Sequence, residues 1–364
     1  MNQRTALYAE QLRLGGRMVD FHGWDLPVQF ESILTEHLHC REAAVVFDTS
    51  HMGQLRIRAR PSALARVTTQ NAGALAVGRC QYGFLLNEAA GILDDTILMR
   101  LGDEDFLLVV NAAPAAGDFA WVRTHLSEGD VVLQSADGGW CKLDLQGPKS
   151  AQVLAPLTDA PLRSLGYYHV VQARVCGHPC IVSRTGYTGE LGYEIICGAE
   201  SVPTIYGELL ASDLVTPAGL GARDSLRLEM GYPLYGDDID AGTTPFEASL
   251  GGFIRFDHDF IGSAALRAAG EPRRLRVAFA AASRQKAWAG NEIEHNGHAV
   301  GRITTAAFSP SLQVSIAQGY VPADLATPGA ELIVKTPRRD LPVAVAHRPL
   351  YKHGTCRTKE IRTT

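Results

Sequence analysis

The sequence lacks a long hydrophobic run: no stretch approaches the roughly eighteen apolar residues that a membrane-spanning helix requires. Residues 1–16 carry scattered charges and no continuous apolar segment, so the sequence predicts no secretory signal peptide. A basic excess is also missing, because the net charge is -5, whereas nucleic-acid-binding proteins normally present a basic surface. These absences argue against a membrane protein and against a nucleic-acid partner.

Paired cysteines are missing as well. The seven cysteines are an odd number without paired spacing, which indicates free thiols and a cytoplasmic protein. Two short clusters, around residues 176–180 and 37–40, combine cysteine with histidine but contain neither a Cys-x2-Cys knuckle nor a histidine pair at helical spacing. We therefore expect no metal site. No Gly-x-Ser-x-Gly motif is present, which disfavours a serine hydrolase.

The composition is that of a soluble globular protein with more than one domain. The 364 residues are too many for one ordinary core, and 46% of them are hydrophobic. Helical and strand-like patterns are interspersed without a regular βαβ rhythm, so we expect an α+β fold. Four strand-like segments between glycines and prolines near the C-terminus predict a small β-barrel, namely 275–281, 293–303, 314–321 and 332–345.

Elsewhere the patterns predict a helix after Ser32, which could cap it, and another over 61–76. Antiparallel strands are expected over 82–86, 92–101 and 105–111.

An aspartate pair, Asp94-Asp95, lies near the start of one predicted strand. Neighbouring side chains on a strand face opposite ways, so at most one of the two carboxylates points into a given pocket. One interpretation is a turn-proximal aspartate that caps loop amides. The functional interpretation is a single buried carboxylate that bonds to a ligand nitrogen.

Glu194 follows Gly192-Tyr193 in a strand and shares a face with Ile196. A carboxylate among apolar neighbours is costly unless it has a partner. The partner could be a ligand edge with two parallel N–H donors, such as a 2-aminopyrimidinone, which a carboxylate accepts in fork geometry. The alternative is an internal salt bridge, for which Arg184 is the candidate.

Arg223 lies at the start of a helix, preceded by Gly219 and Gly221, which allow close backbone approach. This pattern lacks the third glycine of a phosphate-binding loop. The helical pair Asp224 and Arg227 is of a kind that usually lies on the surface. A carboxylate and an arginine on rigid elements suit a ligand with a donor-rich ring and an acidic tail. Folates have that layout.

Several longer motifs carry a family resemblance along nearly the whole chain. They occur in family order at 18–24, 47–53, 91–95, 109–112, 145–148, 183–190, 219–228, 243–247 and 308–312. In these motifs the sequence resembles the T-protein family, the aminomethyltransferases of the glycine cleavage system.

The resemblance implies three domains arranged as a cloverleaf-like ring around a central folate channel. The first domain would be split between residues 1–50 and 138–242, the second would be an insert over 51–137, and the third a β-barrel domain over 243–364. This expectation rests on the resemblance alone.

The resemblance also implies roles for individual residues. Asp95 corresponds to the family's essential aspartate and would be catalytic. Glu194 would hold the pterin edge and Arg223 would lie in the folate site. The remaining expected contacts of the folate are Met52, Tyr82, Asn111, Tyr187, Tyr232 and Tyr351. No metal is expected.

Such an enzyme takes an aminomethyl group from the lipoyl arm of H-protein, releases ammonia and forms 5,10-methylenetetrahydrofolate from tetrahydrofolate. Its functional partners are then H-protein and, more distantly, the P- and L-proteins. The sequence departs from the usual family pattern at Gly251-Gly252-Phe253 and Thr305-Ala306-Ala307. Both departures lie in the third domain or its approach, so they bear on the carbon donor rather than on the folate.

Two alternatives stay open at this point. A folate-dependent demethylase of a small N-, O- or S-methyl compound would belong to the same superfamily and would need no lipoyl carrier. A non-enzymatic folate-binding protein for iron–sulfur assembly would carry a Lys-Gly-Cys-Tyr-type signature, which this sequence lacks.

Overall fold

The computed structural model describes residues 2–134 and 139–364, so the expected domain boundary at 137/138 lies outside the described residues. The chain forms two compact units. The first comprises Met1–Gly83, Asp95–Arg223 and Gly354–Thr364, and the second comprises Phe84–Asp94 and Asp224–His353. In the described part of the chain, no helix is long and apolar enough to span a membrane.

Helices and strands alternate irregularly up to residue 230, as expected for an α+β fold. The helices are α1 Tyr8–Arg13, α2 Ile33–Glu42, α3 Pro61–Ala65, α4 Ala115–His125, α5 Ser150–Leu154, α6 Val202–Leu210 and α7 Leu220–Met230. The strands are β1 Arg17–Phe21, β2 Trp24–Gln29, β3 Ala44–Asp48, β4 Gly53–Arg58, β5 Cys80–Leu86, β6 Ile92–Arg100, β7 Asp105–Val110, β8 Asp130–Gln134, β9 Trp140–Gln146, β10 Val170–Val175, β11 His178–Ser183, β12 Gly192–Gly198 and β13 Val215–Pro217.

A six-stranded sheet, the first sheet, has the order β10-β11-β12-β9-β3-β13. Only β13 and β3 pair in parallel among its described ladders. Its central strands are buried along nearly their whole length, as in β3, where all five residues are buried. The sequences of such strands are nearly continuous apolar runs, because both faces of the strand are shielded from solvent.

A five-stranded sheet, the second sheet, has the order β5-β6-β7-β4-β8. Burial alternates along the first seven residues of β6, and within that alternation Asp94 is fully buried while Asp95 is half-buried. The period of two therefore places the two aspartates on opposite faces, as predicted.

An apolar cluster lies between the two sheets of the first unit. Its members come from both sheets, and we call it the inter-sheet cluster: Cys80, Met99, Leu107, Val109, Val170, Ile181 and Ile196. Met52 and Ile97 are partly buried against it. Because core truncations of this type cost about 2–5 kcal/mol each, the cluster fixes how these two sheets face one another.

The start of α7 is positioned by α2. The predicted cap at Ser32 is confirmed, since its side chain accepts a hydrogen bond from Thr35 N at 3.0 Å. One turn on, the carboxylate of Glu36 accepts a hydrogen bond from Gly219 N at 2.8 Å. A Cβ on Gly219 would lie 2.5 Å from the carbonyl carbon of Val28, so this approach requires glycine. The close backbone approach that the sequence indicated is therefore to the chain itself.

The second unit contains a closed six-stranded barrel, which confirms the predicted C-terminal barrel. Its strand order is β14-β17-β16-β15-β18-β19, and its core includes Phe279, Ile303 and Val343. The elements are α8 Ser263–Ala268, β14 Arg274–Ala281, β15 Glu292–His295, β16 His298–Ser309, β17 Val314–Pro322, β18 Glu331–Val334 and β19 Leu341–Ala346.

A buried ion pair lies beside this barrel within the second unit. Arg227 Nη1 donates to Oδ2 of Asp238 at 2.6 Å, and both side chains are fully buried. The hydroxyls of Thr304 and Thr305 donate to the other carboxylate oxygen. The pair of Arg227 with Asp224 exists, at 2.8 Å, but it departs from the usual surface pair because the guanidinium is buried.

Three predicted element boundaries are wrong. The helix expected over 61–76 ends at Ala65. The single strand expected over 293–303 is a hairpin, because Asn296 and Gly297 both have positive φ and turn the chain. The segment 332–345 likewise holds two strands, β18 and β19.

Candidate functional site

Asp95 is held by two neutral donors on the second sheet. Asn111 Nδ2 donates to its Oδ1 at 2.9 Å, and the Tyr82 hydroxyl donates to its Oδ2 at 2.9 Å. Asn111 also bonds to the main-chain oxygen of Asp95 at 3.2 Å. Because neither of these donors carries a charge, they orient the carboxylate without neutralising it. The structure thus brings three predicted site residues into direct contact.

A row of charged side chains crosses the first sheet. Glu194 on β12 lies directly opposite Asp144 on β9, so two buried carboxylates are cross-strand neighbours. Like charges in this arrangement destabilise a sheet unless a cation lies between them. Lys142, two residues from Asp144 on the same face, supplies it: its ammonium contacts Asp144 and lies 3.2 Å from Oε2 of Glu194.

Arg223 completes this row at the start of α7. Its Nη1 donates to Oδ2 of Asp144 at 2.8 Å. Its guanidinium also lies 4.9 Å from the centre of the Tyr187 ring and 5.9 Å from that of Phe47, both within cation–π distance. Lys142, Asp144, Glu194 and Arg223 are called the charged row below.

The two carboxylates of the charged row have opposite pKa shifts. Burial raises the pKa of Glu194, with the neighbouring Asp144 adding to the effect and Lys142 opposing it. Burial also acts to raise the pKa of Asp144. The positive charges of Lys142 and Arg223 outweigh the effect of burial and hold the pKa of Asp144 below its ordinary value. Asp144 is therefore the firmly ionised member, whereas Glu194 is the one whose charge a ligand can influence.

The internal salt bridge that the sequence left open for Glu194 exists, but its cation is Lys142 and not the candidate Arg184. Arg184 donates instead to the main-chain oxygens of Leu165 at 3.1 Å and Thr358 at 2.6 Å, and it is an anchor for the C-terminal segment. Lys142 takes the role that the sequence left to Arg184. The signal that could have indicated it is a pair of charged residues, Lys142 and Asp144, at positions i and i+2 of a strand whose other residues include no charge.

Two glycines, one within the segment 183–190 and one just after it, make room for a buried glutamine. A Cβ on Gly186 or Gly192 would lie within 2.0–2.4 Å of the Gln146 amide. That amide donates to Thr185 O at 3.2 Å and accepts from the Thr188 hydroxyl at 3.1 Å. The segment is thereby fixed around Gln146.

Within the first unit, Asp95 and Glu194 flank the same apolar surface. Ile97, two residues after Asp95, and Ile196, two residues after Glu194, both contact the inter-sheet cluster, and so does Met52. Because residues two apart on a strand share a face, both carboxylates lie on the faces that meet at this cluster.

Tyr232 and Tyr351 belong to the second unit and are described there alone. The main-chain oxygen of Tyr232 accepts hydrogen bonds from Arg227 and Gln318, each at 3.0 Å. Tyr351 N donates to Glu229 O at 3.1 Å, and its ring lies edge-on to His353 at 5.8 Å.

Among the described residues there is no group of three or more histidine, cysteine or acidic side chains placed to hold a metal ion. The seven cysteines are free thiols.

Comparisons with known proteins cover nearly the whole chain. Residues 7–258 match the family model of the GCVT N-terminal domain, and residues 273–352 match that of the glycine cleavage T-protein C-terminal barrel domain. The chain is 42% identical to an aminomethyltransferase of Thermus thermophilus, over 88% of this chain and 91% of that one. It is 39% identical to an aminomethyltransferase of Geobacillus kaustophilus, over 97% of this chain and 100% of that one.

A solved structure shows the same fold. The glycine cleavage system aminomethyltransferase T from Bartonella henselae superposes with a TM-score of 0.90 at 33% identity. The match covers 96% of this chain and 98% of that chain.

Proposed function

The chain belongs to the glycine cleavage T-protein family, and we propose that it is a tetrahydrofolate-dependent aminomethyltransferase. In this proposal it takes the aminomethyl group carried by the lipoyl arm of H-protein and releases ammonia. The one-carbon unit passes to tetrahydrofolate, which becomes 5,10-methylenetetrahydrofolate.

The observation that carries this proposal is the geometry of Asp95. Its carboxylate is oriented by Tyr82 and Asn111, both neutral donors, at 2.9 Å each. An ionised carboxylate held in this way stabilises positive charge that develops on a nearby carbon, and it accepts a proton from an attacking amine. Transfer of the carbon with release of ammonia requires both charge stabilisation and proton transfer, so we assign Asp95 the catalytic role.

The charged row fits a folate chemically. Tetrahydrofolate supplies the two nitrogens that accept the carbon. The pterin presents parallel N–H donors at one edge, and Glu194 is a buried acceptor with a raised pKa, which such donors would stabilise in its ionised form. Arg223 of the charged row adds a guanidinium, and the Tyr187 ring next to that guanidinium adds an aromatic face. Glu194 and Arg223 would therefore hold the folate.

The other expected contacts are part of the same proposal. Met52, which packs against the inter-sheet cluster, would form an apolar wall of the folate site. Tyr82, Asn111, Tyr187, Tyr232 and Tyr351 would line the remainder. The three-domain division and the central channel likewise follow from family membership and stay within the proposal.

A folate-dependent demethylase has less support. The relatives that match this chain at 38–42% identity over most of its length are named aminomethyltransferases. The proposed partners are accordingly H-protein as donor and the P- and L-proteins as further components of the system. Free thiols suit a reducing compartment, so we propose a cytoplasmic location.

Ammonia release from aminomethylated H-protein, measured with and without tetrahydrofolate, tests the activity. We expect release that depends on tetrahydrofolate in the wild type. Asp95→Asn should lower turnover by about two to four orders of magnitude, the range for loss of a general base or charge stabiliser, while folate binding survives.

Asp105→Asn is the matched control, because Asp105 is a half-buried aspartate of the same sheet that pairs with Arg56. Its turnover should stay close to that of the wild type. Near-normal turnover of Asp95→Asn would overturn the catalytic assignment. Absence of tetrahydrofolate-dependent release in the wild type would overturn the proposed activity.

A further inference from the structure

His51 lies in the turn that joins β3 to β4, immediately before Met52. The turn is closed by a hydrogen bond from Met52 N to Thr49 O at 3.1 Å. His51 is only 7% exposed, and its ring lies perpendicular to that of Phe21 at 5.7 Å between centroids. It is thus a buried aromatic side chain carried by a turn of the first unit.

Within the residues that the structure describes, the imidazole of His51 makes no hydrogen bond to the protein. Its Nδ1 is buried and unpartnered, and no residue in the described part of the chain bonds to its Nε2. Buried polar groups of native proteins are nearly always hydrogen-bonded, so an imidazole without a protein partner is unusual. Nδ1 is sealed, so it is not the atom that meets a ligand; Nε2 is neither sealed nor bonded to a described residue, so it is the ring nitrogen that a ligand can reach.

The electrostatic surroundings place His51 beside the charged row. Burial is the main cause that lowers its pKa to about 3, and the charges of Arg223 and Lys142 add to the effect. The ring is therefore neutral at physiological pH and offers one N–H donor and one acceptor. Lys142 contacts Asp144 and Glu194, and Arg223 contacts Asp144. Each carboxylate of the charged row therefore has a cation without His51.

Building on the proposed function, we infer that His51 is a further folate-binding residue, whose Nε2 hydrogen-bonds to a polar atom of the bound reduced folate. Three observations support this role: an unpartnered imidazole that is nine-tenths buried, its position next to Met52, and its place beside the charged row. A neutral group suits this position because it adds a hydrogen bond without disturbing the charge balance of the row. The alternative is that the ring serves only to pack against Phe21.

Three substitutions separate binding from packing. In His51→Gln the side-chain amide reaches about as far as Nε2, in His51→Asn it reaches only about as far as Nδ1, and in His51→Leu no polar atom is left. The probe is 5-formyltetrahydrofolate, an air-stable reduced folate, titrated calorimetrically against the full chain. We expect Kd to rise about tenfold in His51→Leu and His51→Asn, as for the loss of one buried hydrogen bond. His51→Gln should return Kd to within about threefold of the wild type.

His125→Leu is the matched control, because His125 is a half-buried histidine of the same unit that already bonds to Trp121 O at 2.9 Å. Its Kd should equal that of the wild type, and circular dichroism confirms that each variant is folded at the titration temperature. Wild-type affinity in His51→Leu would overturn the inference, as would equal losses in the Gln and Leu variants. A wild type that binds no reduced folate would overturn the proposed function itself.

Discussion

Lys142 Nζ lies 3.2 Å from Oε2 of Glu194, and the same ammonium contacts Asp144, two residues further along its own strand. One buried cation thus serves two carboxylates that face each other across β9 and β12. Asp144 contacts a second cation, Arg223, whereas Glu194 contacts only Lys142 among these cations, so the ionised form of Glu194 is the less stabilised of the two. A ligand with N–H donors would supply the hydrogen bonds that stabilise the Glu194 carboxylate in its ionised form.

Glu194→Gln should therefore weaken folate binding. The amide keeps the shape of the carboxylate but replaces one acceptor by a donor, so the ligand's N–H pair meets a mismatched edge. Hydrogen bonds to charged groups contribute about 1.5–3 kcal/mol, which corresponds to a rise in Kd of about 10- to 100-fold. Titration with tetrahydrofolate measures this Kd. Glu200→Gln is the control, because Glu200 is exposed. Equal affinities for wild type and Glu194→Gln would remove the pterin-edge assignment.

Lys142→Met should destabilise the protein strongly. The substitution leaves Asp144 and Glu194 buried and opposite each other without the ammonium between them. Breaking a buried ion pair by removing one partner costs about 3–5 kcal/mol, to be measured by urea unfolding. The double variant Lys142→Met/Glu194→Gln removes one of the two repelling charges and should recover part of the loss. If the double variant is no more stable than the single one, repulsion between the carboxylates is not the cause.

The local pattern of the sequence was sufficient for parts of the site that depend on one strand or one helix. Period-two alternation placed Asp94 and Asp95 on opposite faces, and the structure agrees. The side chain of Ser32 caps the helix that the sequence predicted after it. The C-terminal barrel followed from short apolar segments between glycines and prolines. In each case the decisive interaction lies within a few residues of the signal.

The charged row could not be predicted in the same way. Lys142 and Glu194 meet only because β9 and β12 pair with Glu194 opposite Asp144, and a register shift of one residue would turn every side chain to the other face. Nothing local to β12 specifies that register. Arg227 shows the same limit: its near partner Asp224 was visible in the sequence, but the buried Asp238 reaches it through a loop.

Asp238→Asn should destabilise the protein strongly. Its carboxylate accepts from Arg227, from Leu234 N at 2.9 Å and from two threonine hydroxyls, all within the second unit. An amide removes the buried counter-charge of Arg227 and leaves the guanidinium only the half-buried Asp224, at a cost of about 3–5 kcal/mol in the free energy of unfolding. Asp240→Asn is the control, because Asp240 is exposed and its bonds are local. Similar losses in both variants would show that the loop, not the ion pair, is responsible.

Acid should destabilise the protein between about pH 6.5 and 5 because of His51. Its pKa is lowered to about 3 in the folded state, so in this range the unfolded chain binds a proton at this position that the folded chain does not. Stability then rises with pH, and lowering the pH from 6.5 to 5 should remove about 2 kcal/mol. Glu194 acts in the opposite sense just above its ordinary pKa, because its own pKa is raised.

Comparison with His51→Leu isolates the histidine, since both proteins retain Glu194 and all other histidines. Urea unfolding at a series of pH values between 5 and 7 should give a wild-type free energy that falls on acidification by about 2 kcal/mol more than that of the variant. Asp144 does not interfere, because its pKa is lowered and its contribution is lost only below about pH 4. Parallel pH profiles for the two proteins would mean that His51 is protonated as easily in the folded chain as in the unfolded one. The imidazole would then have to be exchanging with solvent rather than held neutral beside Lys142 and Arg223.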